Sequence, residues 1–183
     1  MLEIRLASDE DILALRELIG LSVRALQSGD YSAEQIEGAL GTVFGVDRRL
    51  IADGTYFVAE ANGILAGCGG WSKRRTLFGS DRQSGREDAL LDPLCENARI
   101  RAFFVHPEWA RRGVGSRILA ACESAAMDAG FSGFELGATV TGERLYSKRG
   151  YKAVELVETP LANGLSLRII RMVKKIGAVR ATG

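Results

Sequence analysis

One histidine, three cysteines and three prolines are all that a chain of 183 residues supplies. Each scarcity excludes something. A lone imidazole, His106, without a cysteine partner signature disfavours the Ser-His and Cys-His pairs of acyl-enzyme catalysis. Cys68, Cys95 and Cys122 are odd in number, far apart and free of any Cys-x-x-Cys pair, so neither a disulfide framework nor a zinc site is expected, and no metal is called. A net charge of +1 gives no basic field, which argues against nucleic acid or a membrane surface as partner. No apolar run approaches the ~20 residues of a membrane helix. Met1 to Arg5 lacks the apolar core of a signal peptide, and the expected location is the cytoplasm. What is present is ordinary for a globular protein: 46% hydrophobic and 26% charged residues, enough for one domain with a full core.

Short-range signals divide the chain. Leu2 to Leu6 reads as a strand. Ser8 is an N-cap followed by three acidic residues suited to a first helical turn. Ile12, Leu15, Leu18, Ile19, Val23 and Leu26 then recur at helical spacing until Ser28-Gly29-Asp30 breaks the helix. Ser32 caps a second helix through Leu40. Thr55 to Ala61 and Ile64 to Trp71 are strands joined by Asn62-Gly63, a type I′ turn signal. Residues 73–97 carry interspersed arginines and carboxylates with no periodicity, a long connection of the kind that is often functional. Ile100 to Val105 is the next strand, and a helix from Gly113 to Ala129 is stopped by Gly130. Phe134 to Thr139 is a fifth strand, and Thr141 is the expected cap of a short helix ended by Gly150. Tyr151 to Glu158 and Leu165 to Val173 form a hairpin around Asn163-Gly164. The domain is expected to end near residue 175, with Lys174-Lys175 leading into a disordered tail at 176–183.

Between the fourth strand and the long helix stands Ala110-Arg111-Arg112-Gly113-Val114-Gly115-Ser116. A glycine turn at a helix N-terminus presents unpaired amides and partial positive charge, a ready site for phosphate. Arg111 and Arg112 add fixed charge. A P-loop is excluded because Arg117 follows Ser116 without the Gly-Lys-Ser/Thr spacing. A dinucleotide fingerprint lacks its third glycine, since Ile118 stands there.

About thirty residues downstream comes Leu145-Tyr146-Ser147-Lys148-Arg149-Gly150-Tyr151. Together with Phe103-Phe104-Val105-His106-Pro107, the pair of segments resembles the GNAT superfamily of acyl-CoA-dependent N-acyltransferases. Nearly the whole chain takes part, most specifically residues 98–151. Ala110 stands where the family has Gln or Arg, and Thr139 and Thr141 replace its asparagines. The resemblance implies an α/β (α+β) fold with a mixed, mostly antiparallel central sheet of about seven strands. It implies flanking helices, splayed fourth and fifth strands, and a single domain over 1–175 with 73–97 inserted between the third and fourth strands over the acceptor side. It implies acetyl-CoA as co-substrate, bound by Phe103, Phe104, Val105, Arg111, Arg112, Gly113, Val114, Gly115, Ser116 and Tyr146. Two helices of the family lie beside the acceptor, which puts Gln27 to Tyr31 near it.

Chemistry of this kind needs aligned reactants, a base for the amine and a proton for the departing thiolate. By its motif position Tyr146 is the general acid. Glu96 or Glu135 is the candidate base, directly or through water. Arg99 and Arg101 would suit an anionic acceptor. The expected acceptor is a primary amine on a small molecule or peptide, and a homodimer is left open. A non-catalytic acyl-CoA sensor on the same fold is the alternative function.

Overall fold

A computed structural model describes residues 1–176; the expected disorder of 177–183 lies outside the described residues. One mixed sheet of seven strands organises the molecule, in the order β1-β2-β3-β4-β5-β7-β6. The strands are β1 (Glu3–Leu6), β2 (Tyr56–Ala61), β3 (Ile64–Ser72), β4 (Ala98–Val105), β5 (Gly133–Thr139), β6 (Lys152–Pro160) and β7 (Ser166–Lys175). The helices are α1 (Ile12–Leu26), α2 (Ala33–Ala39), α3 (Arg48–Ala52), α4 (Val114–Asp128) and α5 (Glu143–Lys148). Only β4 and β5 run parallel; every other neighbouring pair is antiparallel.

Alternation along the strands fills two hydrophobic clusters, one on each face. Val58, Cys68, Phe104 and Ile169 pack with α1, α2 and α3 on the first. Ala59, Ile100, Phe134 and Met172 pack with α4 on the second. Gly67 lets α4 lie tight on β3, because a Cβ there would stand 2.8 Å from Val114 Cγ1. The Asn62-Gly63 turn has φ of 53° and 76°, as a type I′ turn requires. Both serine caps form: Ser32 Oγ accepts from the Gln35 amide, and the Ser8 amide donates to Asp11.

Two expectations are corrected. Thr141 does not cap α5; its hydroxyl donates to Asp30 at 2.6 Å, and Thr139 Oγ1 instead accepts from the Gly142 amide. The chain does not loosen at Lys174, because Lys174 and Lys175 close β7 and the Ile176 amide donates to Ser132 O. Residues 73–97, which show no periodicity, pair with themselves: Arg75 and Thr76 donate to the carbonyls of Ala89 and Glu87, and Leu91 donates back to Lys73 O. The segment is an irregular hairpin arm. The short helix α3, capped by Asp47, has too few residues for its periodicity to stand out in the sequence.

Candidate active site

β4 and β5 pair only at Ala98 with Phe134 and Arg99 with Glu135. Beyond that point they part. The divergence begins where β4 carries a bulge: register against β3 shifts between Cys68 and Gly70, and Ala102 sits at φ 56°, left-handed for a residue with a Cβ. The bulge leaves Phe103 aimed at α5 and Phe104 aimed at the opposite face, where its ring meets Phe44 edge-on at 6.2 Å. The His106 amide pairs back to Ala66 O on β3, so the Val105 amide one residue earlier points into the gap. There it donates to Ser22 Oγ of α1 at 3.2 Å. Ser22 escaped the sequence reading. Its signal was a hydroxyl within the buried stripe of Leu15, Leu18, Ile19 and Val23.

At the end of β4, His106 caps a turn through Pro107, accepting the Glu108 amide on Nδ1. The chain then enters α4 through Arg111 at φ 62° and Gly113 at φ 82°. The two motif glycines do different work. Gly113 is exposed with open space where a Cβ would be, and its left-handed φ favours glycine. Gly115 faces inward, where a Cβ would lie 3.1 Å from Leu145 Cδ2; it lets α4 close against α5. The first-turn amides of α4 are free of helical partners by geometry. Arg111 and Arg112 are exposed, and neither makes an ion pair among the described residues. The Arg112 guanidinium lies over Trp109, while Ser116 Oγ accepts from Arg149 at 3.3 Å.

Tyr146 of α5 faces the gap from the α4 side. Its ring packs edge-on against Phe103 and Tyr151, at 6.1 and 5.7 Å between centroids. The residue is 7% exposed, and its hydroxyl makes no hydrogen bond among the described residues. Burial pushes this phenol above the ordinary tyrosine range, so it holds its proton at neutral pH. An uncommitted, protonated hydroxyl is a donor in waiting.

The two candidate carboxylates are both engaged. Glu135 ion-pairs with Arg99 and with Arg171, at the closed end of the gap where β4 and β5 still pair. Glu96 pairs with Arg75 at 2.8 Å and accepts the Asp92 amide. The arginines proposed for an anionic acceptor are also committed: Arg99 to Glu135, and Arg101 to Asp47 at 2.8 Å. Arg101 is 3% exposed and also donates to Gly79 O, while its Nε has no partner among the described residues.

The α1–α2 turn is stitched to the far wall of the gap. Tyr31 donates to Arg168 O at 2.7 Å and accepts the Val140 amide at 2.9 Å. Burial raises its phenol to about 12. The Gln27 side-chain oxygen is buried without a partner among the described residues. The hairpin arm reaches the same wall: Phe78 lies against Gly137 of β5, where a Cβ would be 2.9 Å from its ring. Among the described residues no group of side chains is arranged to hold a metal ion, and no helix is long and apolar enough to cross a membrane.

The family model for the acetyltransferase (GNAT) domain matches residues 52–153. No curated protein matches the chain at a significant level. Among solved structures, a GCN5-related N-acetyltransferase from Rhodopseudomonas palustris superposes with a TM-score of 0.71 at 23% identity, over 95% of both chains. PaiA N-acetyltransferase from Thermoplasma acidophilum, in complex with coenzyme A, gives 0.65 at 19% identity over 96% of this chain and 99% of that one. A putative acetyltransferase from Salmonella typhimurium with acetyl-CoA gives 0.63 at 17% identity over 96% and 94%.

Proposed function

The chain belongs to the GNAT acetyltransferase family, and from that membership we propose that it moves an acetyl group from acetyl-CoA to a primary amine of a small molecule or peptide. The observation that carries this reading is the buried Tyr146 hydroxyl, protonated and without a partner among the described residues, on the wall of a gap between two parting strands. The surroundings fit the coenzyme. Gly113 leaves open space at the mouth of α4, and Arg111 and Arg112 stand beside it. That set suits a pyrophosphate by backbone amides first and guanidinium charge second.

Each residue then has a task. The glycine loop anchors the nucleotide end. The edge of β4 from Phe103 to Val105 aligns the pantetheine arm, with a backbone amide positioned to polarise the thioester carbonyl. Phe103 and Tyr151 fix the Tyr146 ring, so that its hydroxyl can pass a proton to the leaving thiolate. Both Glu135 oxygens are committed to guanidiniums, one to Arg99 and one to Arg171. In this reading Glu135 therefore keeps the closed end of the gap in register, and the amine loses its proton to water. The sensor alternative has no observation of its own in its favour.

Thiol release from acetyl-CoA with a panel of amines tests the activity; no release with any amine would leave the sensor reading. Tyr146→Phe keeps the ring and removes the proton. Where chemistry limits turnover, kcat should fall by about 10²–10⁴ with little change in acetyl-CoA affinity. An unchanged kcat would return Tyr146 to packing alone.

A further inference from the structure

The face of the sheet opposite α4 carries a hollow that the glycine loop and the gap do not share. Its volume is about 340 Å³. Three separate stretches line it: Arg16 and Ile19 of α1, the α2–α3 connection from Leu40 to Arg48, and Ser80 to Arg82 at the tip of the hairpin arm. Ile19, Leu40, Phe44 and Val46 make an apolar lining.

Its charge is uneven. Arginines elsewhere on this side have carboxylate partners: Arg74 has Asp53, Arg49 has Asp88, and Arg86 and Arg101 share Asp47. Arg16, Arg48 and Arg82 are exposed, and none makes a side-chain hydrogen bond or ion pair among the described residues. The one acidic residue in the lining is Asp81, and its Oδ1 is taken by the Arg48 backbone amide at 2.9 Å. Three arginines without side-chain partners among the described residues therefore line one concavity that also has apolar walls. On this side of the sheet Arg74, Arg49, Arg86 and Arg101 pair away from the hollow while the three around it do not, a pattern that suits a ligand rather than the protein. A guanidinium fork is built for a carboxylate or phosphate, and the lining wants hydrocarbon. The volume lies near the lower end for small-molecule pockets.

Residues of the hollow also pack against the strands that border the gap. Phe44 in its lining stands edge-on to Phe104 of β4. Its Ser80 wall is two residues from Phe78, which lies against β5 at Gly137. Ser80 is fixed there: its hydroxyl donates to Gly41 O and its amide to Thr42 O.

We infer that this hollow is a second ligand site, for a small organic anion with an apolar body. The anion is either the acid tail of the acceptor amine or a regulator, and the chemistry of recognition is the same for both.

Calorimetry on the whole protein tests the site directly, with 4-phenylbutyrate as probe and its neutral amide as control. The acid should bind at least about tenfold more tightly than the amide, the difference expected from one charge-assisted contact. Arg48→Gln combined with Arg82→Gln should abolish that preference and leave acetyl-CoA affinity unchanged. Both side chains are exposed, so the fold should survive, which circular dichroism checks. Equal binding of acid and amide, no binding of the acid, or normal acid binding by the double variant would overturn the inference. Acetylation then separates the two sources. A lower KM for 4-aminomethylbenzoate than for benzylamine, lost in the double variant, makes the anion part of the acceptor. A change in kcat for benzylamine caused by 4-phenylbutyrate, without competition, makes it a regulator. The binding arm needs no acetyl transfer, so its failure would leave the proposed activity untouched.

Discussion

The two faces of this sheet are built from different materials. On the α4 face the proposed coenzyme site rests on backbone: a left-handed glycine, a helix N-terminus, a strand edge and one tyrosine. On the other face, long charged side chains do the joining. Asp47 is fully buried and receives Arg101 of β4 and Arg86; Asp53 receives Arg74; the Arg86 and Arg74 pairs clamp the hairpin arm to the two ends of α3. A backbone site takes the same ligand group whatever the side chains around it. A face held by private ion pairs can be reshaped one pair at a time. The division suits a protein that keeps one co-substrate and particularises the other.

Substitutions can break this contrast or sharpen it. The largest effect is expected at Asp47. Asp47→Ala strands Arg101 in the interior, and breaking one side of a buried pair costs about 3–5 kcal/mol. Thermal unfolding should show a large fall, and acetyl-CoA affinity of the folded fraction should hold. A parallel loss of coenzyme binding would show that the two faces are not independent.

Phe78→Ala comes next. The ring is half-buried against Gly137, so a loss of about 2 kcal/mol is expected, below that for a fully buried phenylalanine. Steady-state kinetics should show a changed acceptor KM and an unchanged acetyl-CoA KM; the reverse pattern would move the arm to the coenzyme side.

Gly113→Ala puts a Cβ on a backbone with φ 82°, costing about 1 kcal/mol in stability. The heavier consequence should appear as weaker acetyl-CoA binding by calorimetry, and unchanged affinity would remove the loop from the coenzyme site.

The smallest effect is electrostatic. Hydrogen bonds from Arg5 hold the Asp11 carboxyl down to about 2, against the usual value near 4 for a free aspartate. The folded state therefore favours the charged form. The stabilisation is present above about pH 4 and is lost as pH falls toward 2. Urea unfolding of Asp11→Asn should lack that part of the acid slope and, near neutrality, lose about 1 kcal/mol or less. An identical slope in both proteins would show that the pair contributes nothing.

What the sequence disclosed was local. Ser8 and Ser32 announce their helices because a cap and its partner lie three residues apart, and Asn62-Gly63 announces its hairpin because both positive φ values belong to adjacent residues. The glycine loop and Tyr146 are candidates by motif spacing, and their proposed roles rest on that spacing together with the family membership. What stayed hidden joins distant stretches. Ser22 meets Val105 across 83 positions, and Phe78 meets Gly137 from an arm with no periodicity. Glu135 looked like a free carboxylate because neither Arg99 nor Arg171 is its neighbour in the chain. Thr141 offered a cap of the right type, and Asp30 from the α1–α2 turn took its hydroxyl instead.

The contact between Ser22 and Val105 bears on solubility. A sheet that opens between β4 and β5 carries two unpaired strand edges, and such edges invite a strand from another molecule. One amide on the β4 edge is already covered by a hydroxyl of the same chain. A serine cannot extend a ladder, so it satisfies the amide without offering a template for more. A ligand bound there as proposed would trade that hydrogen bond for another of similar strength. A second protein chain would have to clear α1 from the gap to add a strand. The opening proposed for the coenzyme arm is thereby a poor template for an added strand.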